Sequence, residues 1–408
     1  MNCKRYEECR MLISDSVRQR IDLSREVGDD EIREMIDELV VQMGRKYALS
    51  LAQRQELGKS VFYAIRKLDV LQELVDCDEV TEIMVNGTEN IFVERAGQLC
   101  QWDKRFETIE KLENVIQQIV AKCNRVVNEA SPIADARLEN GSRVNIVLSP
   151  VALNGPVLTI RRFPDHPISM DDLIGFGSIT KEAAAFLEKL VIAGYNIFIS
   201  GGTGSGKTTF LNALSHYIPK TDRIITIEDS AELQLQDIPN LVRLETRTAN
   251  MDGAKEITIR DLIKSCLRMR PDRIIVGEVR GGEAIDMLQA LNTGHDGSLS
   301  TGHANSSMDM LARLETMVLM GMELPLAAVR RQIASGVDII VHLGRLRDRS
   351  RRVLEIVEVV GFEQEEIITQ ELYQFQETGE AEGKVLGVLA QKNELSHQGK
   401  LCAAGLSL

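Results

Sequence analysis

Apolar residues recur at helical spacing through the first 75 residues of the chain. Within residues 31–41 these positions lie three or four apart, at Ile32, Met35, Ile36, Leu39 and Val40. Residues 51–74 continue the same period, and charged residues fill the intervening positions. The pattern predicts an N-terminal helical bundle over residues 1–75. No side chain in this region suggests catalysis, so we expect a docking or assembly role for it.

The period of the pattern changes near residue 80. Short β-prone runs occur at 83–85, 91–93, 99–102, 142–148 and 157–162, and a long amphipathic helix is predicted at 107–128. A helix between β-hairpins is typical of a compact α+β domain, which we assign to residues 76–163. Two prolines, Pro164 and Pro167, then indicate a linker at 164–172.

Strands and helices alternate in the next part of the chain, residues 173–376. Helices are predicted at 181–194, 206–217, 258–269, 282–293, 307–321 and 325–335, and strands at 196–200, 223–228, 273–277 and 297–301. β-Prone runs follow at 337–343, 353–360 and 367–375. The alternation predicts a parallel α/β sheet that binds its ligand at the carboxyl ends of the strands. Residues 377–408 are polar and contain glycines at intervals. We expect them to form a C-terminal tail that contributes little to the hydrophobic core.

Composition limits the classes of function. The chain has 408 residues, 44% hydrophobic and 27% charged, as in an ordinary globular protein. Its net charge of −13 argues against stable nucleic-acid binding, which needs clustered Lys and Arg. The seven cysteines form no Cys-x-x-Cys pair, and no apolar run is long enough to span a membrane. We therefore expect a cytoplasmic protein that reaches a membrane only through partners.

One stretch carries a specific chemical signal. A short apolar strand at 196–200 is followed by a glycine loop and then by an apolar-periodic helix. In such a P-loop, backbone N–H groups and the helix N-terminus hold phosphate, the lysine reaches the β- and γ-phosphates, and the following hydroxyl binds Mg²⁺. We expect the nucleotide to be held by Gly201, Gly202, Thr203, Gly204, Ser205, Gly206, Lys207, Thr208 and Thr209.

Hydrolysis also requires a carboxylate near the γ-phosphate, and two predicted strands end in an acid. Glu228 closes the strand at 223–228, and Glu278 follows the strand at 273–277. Two histidines, His295 and His303, lie in a stretch rich in glycine, serine and threonine. Their spacing fits no zinc pattern, so a γ-phosphate sensor is the better functional interpretation, with a purely structural histidine as the alternative.

Four segments in this order resemble the secretion ATPase superfamily, which drives type II and type IV secretion and type IV pili. They are 201–209, 226–230, 276–281 and 294–305, which correspond to the Walker A motif, Asp box, Walker B motif and His box of that family. Segments 135–144, 158–163 and 315–320 are similar to the CpaF/TadA subfamily of Flp-pilus assembly ATPases. The resemblance covers about residues 80–345, and the helical N-terminus also suits that subfamily.

The resemblance implies a RecA-like ATPase domain preceded by a small PAS-like α+β domain. It implies ATP and Mg²⁺ as cofactors, a homo-hexamer, and an inner-membrane platform protein as partner. Carried over by position, Glu228 polarises the attacking water, Glu278 and Thr208 support Mg²⁺, and His303 senses the γ-phosphate. Gly277 stands where common P-loop ATPases carry Asp, which leaves Mg²⁺ fewer direct protein ligands.

Three arginines of the α+β domain complete the set of candidate residues. By the resemblance, Arg143, Arg161 and Arg162 can approach a nucleotide of their own or a neighbouring subunit. The favoured function is a motor at the cytoplasmic face of the membrane that pushes pilin subunits into a fibre. The alternatives are a VirB11-like type IV secretion ATPase that moves protein or DNA, and a regulatory nucleotide-binding module without sustained turnover.

Overall fold

The computed structural model describes residues 3–22, 24–25, 27–95, 97–123, 125–162, 167–247 and 255–408. The chain divides into two compact units, residues 1–165 and 166–408. The predicted linker at 164–172 lies partly outside the described residues. Its last part differs from the prediction, because the chain is already helical from Met170 onward.

The first unit begins with three helices, α1 (Cys3–Arg20), α2 (Asp29–Lys46) and α3 (Leu51–Arg66). A capping box starts α3: the Ser50 hydroxyl accepts the Gln53 N–H at 3.3 Å, and the Gln53 side chain accepts the Ser50 N–H at 3.0 Å. Their core is built from apolar residues at helical spacing: Cys9, Ile13, Val17, Ile32, Ile36, Leu39, Val40, Leu57, Val61 and Phe62. The hydrophobic period thus predicts these helices correctly.

The end of the bundle differs from the predicted boundary at residue 75. A 3₁₀ turn (Asp69–Leu71) and the short helix α4 (Gln72–Val75) follow α3. Their buried apolar side chains pack in the core of the following domain: Leu68, Leu71, Leu74 and Val75. Helical spacing alone does not say which core a short helix joins.

A buried arginine ties α1 to the α+β domain. Arg10 donates to the Ser60 hydroxyl at 2.7 Å and forms ion pairs with Asp69 and Glu107. Arg10 and Asp69 are each only 6% exposed. Removing one partner of such a group leaves a buried charge uncompensated, so the first unit is held together by more than apolar packing.

The α+β domain is a six-stranded antiparallel sheet with the long helix α5 (Ile109–Lys122) and the short helix α4 packed in its core. Its strands are β1 (Val80–Asn86), β2 (Asn90–Arg95), β3 (Gln98–Gln101), β4 (Ile133–Arg137), β5 (Arg143–Val147) and β6 (Val157–Arg161). They lie in the order β3-β2-β1-β6-β5-β4. Buried positions alternate with partly or fully exposed ones along β5 and β6, as expected of strands with one face on a core.

The second unit contains a nine-stranded sheet in the order β15-β14-β13-β12-β7-β11-β10-β8-β9. Its elements up to β12 are α6 (Met170–Gly175), α7 (Lys181–Ile192), β7 (Ile197–Gly201), α8 (Lys207–Ser215), β8 (Ile224–Glu228), β9 (Leu241–Glu245), α9 (Ile259–Cys266), β10 (Arg273–Val276), α10 (Ala284–Leu291), β11 (Leu299–Gly302), α11 (Ser307–Gly321), α12 (Leu326–Gly336) and β12 (Ile339–Arg345). The six strands from β12 to β9 are parallel, and two separate apolar cores cover the sheet. The predicted α/β fold class is confirmed.

The C-terminal region differs from the predicted tail. Three long antiparallel strands, β13 (Arg351–Glu363), β14 (Glu366–Ala381) and β15 (Lys384–Gln391), extend the sheet, and α13 (Gly399–Ala403) follows them. The β-prone runs predicted at 353–360 and 367–375 lie in β13 and β14, whereas the end of β14, β15 and α13 occupy the predicted tail. Leu395 and Leu401 are buried in the core that surrounds β7. The Tyr195 hydroxyl donates to the His397 carbonyl at 2.5 Å. Residues 377–408 therefore complete the second unit. Their polar pattern reflects strands that are half exposed.

Truncating a buried side chain in this region should destabilise the protein. Leu401 is 1% exposed, whereas Leu408 is 49% exposed. We expect Leu401→Ala to lower the free energy of unfolding by about 2–5 kcal/mol, because it leaves a cavity. Leu408→Ala should change it by less than about 0.5 kcal/mol. Denaturant unfolding measures both, and equal values for the two variants would contradict the packing of α13 in this core.

Candidate functional site

The glycine loop lies where the central strand β7 leaves the sheet. All five residues of β7 are buried, and α8 begins at Lys207. Gly204 and Gly206 have φ of 71° and 94°, in the left-handed region that favours glycine. A side chain at Gly201 would lie against the carbonyl oxygen of Leu343 on the neighbouring strand β12. The loop can therefore curl tightly around a phosphate only with these glycines.

Lys207 lies folded over the loop. Its Nζ donates to the carbonyls of Gly201 and Gly202, each at 3.0 Å, and lies 3.3 Å from His303 Nδ1. Burial lowers the pKa of Lys207, and the nearby Glu278 carboxylate opposes that shift. A polyphosphate in the loop would supply the negative charge that the lysine lacks among these carbonyls.

Parallel register brings the predicted site residues to one edge of the sheet. Gly302 pairs with Ser200, so His303 follows β11 beside the start of the loop. Val276 pairs with Ile227, so Glu228 and Glu278 leave adjacent strands. Strands β11 and β10 stand between β7 and β8. The candidate carboxylates, the histidine and the lysine thus share the carboxyl edge, as predicted for a ligand site.

Glu228 is a buried carboxylate with one free oxygen. It is 3% exposed, and its Oε1 accepts the N–H groups of Glu232 and Leu233 at 2.8 and 2.9 Å. Oε2 is buried and has no partner among the described residues. Burial raises the pKa of Glu228 to about 7, although the two N–H groups oppose the shift. A carboxylate with this pKa can take a proton near neutral pH.

Glu278 lies in a chain of charged and polar contacts. Arg280 Nη2 donates to Glu278 Oε2 at 2.7 Å, and His303 Nε2 lies 2.9 Å from Glu278 Oε1. Burial opposes ionisation of Glu278, but the hydrogen bond and charge of Arg280, together with the charge of Lys207, hold its pKa below the usual range. Glu278 is therefore ionised at neutral pH.

His303 bridges Glu278 and Lys207. Burial and the neighbouring Lys207 lower the pKa of His303, so the imidazole is neutral. Lys207 Nζ donates to Nδ1, which places the proton of the neutral ring on Nε2. Nε2 lies 2.9 Å from Glu278 Oε1, although that oxygen accepts no hydrogen bond from the described residues. A neutral imidazole between an acid and a cation can change partners when an anion arrives, which suits a sensor.

Gly277 makes room for Glu228. A Cβ at position 277 would lie 2.9 Å from Glu228 Cγ, closer than a carbon–carbon contact allows. The sequence places this glycine where common P-loop ATPases carry an aspartate. The structure supplies a physical reason, because any side chain there would displace the buried carboxylate.

The donor set at this edge fits Mg²⁺ held mainly by a nucleotide. Among the described residues no group of three or more His, Cys, Asp or Glu side chains could hold a metal. Thr208 in the first turn of α8 and the ionised Glu278 offer two oxygen ligands. Mg²⁺ commonly takes one or two protein ligands and completes its shell with phosphates and water.

His342 is a residue that motif analysis missed. It lies on β12 in register with Ser200, the residue before the loop, and its Nδ1 is 2.7 Å from the Ser200 hydroxyl. Its ring also bonds the backbone of Asn305, and burial lowers its pKa. Glu355 on β13 accepts the Ser307 N–H at 2.7 Å. These contacts hold the segment after His303 against the strand that carries the loop.

The remaining candidates lie away from this edge or in the other unit. His295 precedes β11, so it lies at the opposite end of that strand from His303. Its Nδ1 lies 3.1 Å from the Ala290 carbonyl. Arg143 and Arg161 are cross-strand partners on β5 and β6 of the first unit. The Arg162 guanidinium donates to the carbonyls of Cys77 and Val80, so it is hydrogen-bonded within its own domain.

A glycine loop on the central strand of a parallel sheet, with acids and a histidine on neighbouring strand ends, defines a RecA-like P-loop site. The chain belongs to the type II/IV secretion system protein family, which matches residues 66–389. The predicted superfamily of secretion ATPases is thereby confirmed. The narrower CpaF/TadA subfamily stays a prediction.

Individual relatives agree with this family. The conjugal transfer protein TrbB of Rhizobium radiobacter is 35% identical over 321 residues, covering 77% of this chain and 95% of the relative. The type IV secretion system protein PtlH of Bordetella pertussis is 33% identical over 315 residues, covering 71% of this chain and 93% of the relative. The ATPase DotB of Legionella pneumophila shares the fold, with a TM-score of 0.52 and 21% identity over 72% of this chain and 80% of that chain.

No helix in the described ranges is both long and apolar enough to cross a bilayer.

The contact between position 277 and Glu228 gives a testable prediction. We expect Gly277→Ala to lower the free energy of unfolding by about 1–3 kcal/mol, because the new methyl group overpacks the buried carboxylate. Gly175→Ala is the matched control, since nothing lies within 4 Å of a Cβ at that position. The cost at position 277 should nearly vanish in a Glu228→Ala background, as measured by denaturant unfolding. An equal cost in both backgrounds would show that Glu228 is not the group displaced.

Proposed function

We propose that this chain is an ATP-hydrolysing motor of a secretion or pilus machine. The observation that carries the proposal is the meeting of a P-loop, a permanent carboxylate, a neutral histidine and a carboxylate of pKa about 7 at one sheet edge. In the proposed reaction, Glu228 takes a proton from the attacking water. Oxygen–phosphorus bond formation at the γ-phosphate accompanies cleavage of the bond to the β–γ bridging oxygen, which gives ADP and inorganic phosphate.

The two acids take different roles in this proposal. Glu228 has a free oxygen and a raised pKa, so it suits the base that orients and deprotonates water. Glu278 is ionised and pairs with Arg280 through Oε2, while its buried Oε1 accepts no hydrogen bond from the described residues, so it suits support of the Mg²⁺ that neutralises phosphate charge. Lys207 binds the β- and γ-phosphates, and His303 exchanges its contact with Lys207 for the γ-phosphate.

The machine proposed is a Flp/Tad-type pilus, with the motor as a homo-hexamer on an inner-membrane platform protein at the cytoplasmic face. Support comes from the family and from the helices α1 to α3, which precede the family match at residue 66 or end there. Arg143 and Arg161 on adjacent strands are candidates for reaching a neighbouring subunit's nucleotide. Arg162 is the weaker candidate, since its guanidinium is bonded to its own domain.

A VirB11-like motor of a type IV secretion system is the second candidate. Two relatives favour it, because TrbB is a conjugal transfer protein and PtlH is a type IV secretion system protein. Neighbouring genes distinguish the two candidates: a prepilin, a prepilin peptidase and two platform proteins support the pilus, and conjugation genes support secretion. The net charge of −13 argues against direct DNA binding in either case.

Turnover and binding test the assignment of the base. We expect Glu228→Gln to bind ATP normally and to hydrolyse it at least about a hundredfold more slowly, since the amide cannot accept the proton. Lys207→Ala should weaken binding itself. Wild-type turnover should rise as pH increases through about 7, because the base acts only when deprotonated. Near-normal turnover by Glu228→Gln in a phosphate-release assay would contradict this assignment.

Mixed oligomers test the arginine proposal. Turnover per subunit should rise with protein concentration as rings assemble. Arg143→Ala and Lys207→Ala subunits should each be nearly inactive alone, and mixing them should restore part of the activity. Recovery is expected because an intact Lys207 site then meets an intact Arg143 from its neighbour. Absence of recovery in rings shown to be mixed would place Arg143 in its own subunit's site or outside the mechanism.

A further inference from the structure

A strongly basic hairpin emerges beside the P-loop. The segment 345–352 joins β12 to β13 and contains five arginines and one aspartate: Arg345, Arg347, Asp348, Arg349, Arg351 and Arg352. Leu343 on β12 pairs in parallel with Gly201 on β7. The hairpin therefore leaves the sheet at the same edge and next to the same strand as the loop that holds phosphate.

Arg351 touches the loop directly. Its Nε donates to the carbonyl oxygen of Gly204 at 2.9 Å. Its Cδ lies 3.5 Å from the position a Cβ would take on Gly206, so the side-chain stem packs along the loop backbone. Within the described ranges the Arg351 guanidinium makes no other hydrogen bond or ion pair, and the residue is exposed. Its terminal Nη groups are free to meet an anion.

The rest of the hairpin is fixed to the C-terminal strands. Arg347 pairs with Glu377 and Glu380, and the Arg352 Nη2 donates to the Val385 carbonyl at 2.8 Å. Asp348 accepts the N–H of Val385 at 2.9 Å. Hydrogen bonds from the Ser350 hydroxyl and from Val385 lower the pKa of Asp348 to about 2, so this anchor stays ionised. Strands β14 and β15 thus hold the segment from which Arg351 extends.

The Gly204 carbonyl matters because of peptide geometry. In a trans peptide the C=O of one residue and the N–H of the next point in opposite directions. Holding the Gly204 carbonyl toward Arg351 aims the Ser205 N–H into the loop, where it now donates to the Gly202 carbonyl at a long 3.3 Å. That N–H is one of the groups a bound phosphate would claim.

We propose that Arg351 is a nucleotide-positioning residue. It orients the loop through the Gly204 carbonyl and places a positive charge beside the bound polyphosphate. The inference rests on the proposed nucleotide binding at residues 201–209 and adds a side chain that follows the last recognised motif by almost fifty residues. It also gives the C-terminal strands a role in the site.

Nucleotide titration tests this role. The probes are fluorescent methylanthraniloyl ADP and ATP with Mg²⁺, added to the full-length protein. We expect Arg351→Gln to weaken binding of both about tenfold, a change that corresponds to roughly 1.4 kcal/mol. The melting temperature should not change, because the side chain is exposed. In steady-state assays KM for ATP should rise about tenfold while kcat changes less than about threefold.

Two further variants separate positioning from bulk charge. Arg349→Gln is the matched control, because it removes one exposed arginine from the same hairpin, and its affinity should stay within about twofold of wild type. Arg351→Lys keeps the charge but lacks Nε, so we expect only partial recovery of affinity. Equal affinities for Arg351→Gln and Arg349→Gln would overturn the proposal, and so would full recovery by lysine. A wild-type protein that binds neither nucleotide would contradict the proposed function as well.

Discussion

The backbone pairing of β7 with β11 on one side and β12 on the other is the constraint on which the site depends. These parallel registers bring the loop after β7, His303 after β11 and the hairpin after β12 to one edge of the sheet. A shift of one residue in either register would turn every side chain of the strand to the other face. β7 keeps its register because Ile197 and Ile199 pack in one core and Phe198 packs in the other, and a shift of one residue would exchange these faces.

At the carboxyl edge of the sheet, burial and charged neighbours act in opposite senses on the pKa values of the acids. Glu228 is kept near its point of half-protonation because burial raises its pKa while two N–H groups hold one oxygen. Glu278, on the next strand, is kept ionised by its cationic and polar partners. Two carboxylates of the same kind thus acquire different protonation states from their surroundings, as the proposed base and the proposed metal ligand require. Gly277 matters to this balance because it leaves Glu228 its space.

Local signals in the sequence predicted the helices, most of the parallel strands and the P-loop, since each is encoded by a short contiguous pattern. Two strands and two residues near the site are not predicted by such patterns. Strands β9 and β15 are half exposed, so they lack a strong apolar run. His342 and Arg351 acquire their roles from pairing between strands that are far apart in the chain. A single sequence, without the sheet order, does not bring such residues to the site.

The sheet order has a consequence for synthesis. The partners of β7 are made late, at residues 299–302 and 339–345, roughly a hundred or more residues after β7 itself. Until then the growing polypeptide carries an apolar strand with two unpaired edges, the kind of segment that other chains can pair with. Release of an incomplete product, ending before β12, leaves one of those edges open permanently. Translation through β12 is therefore what gives the strand before the glycine loop both of its partners.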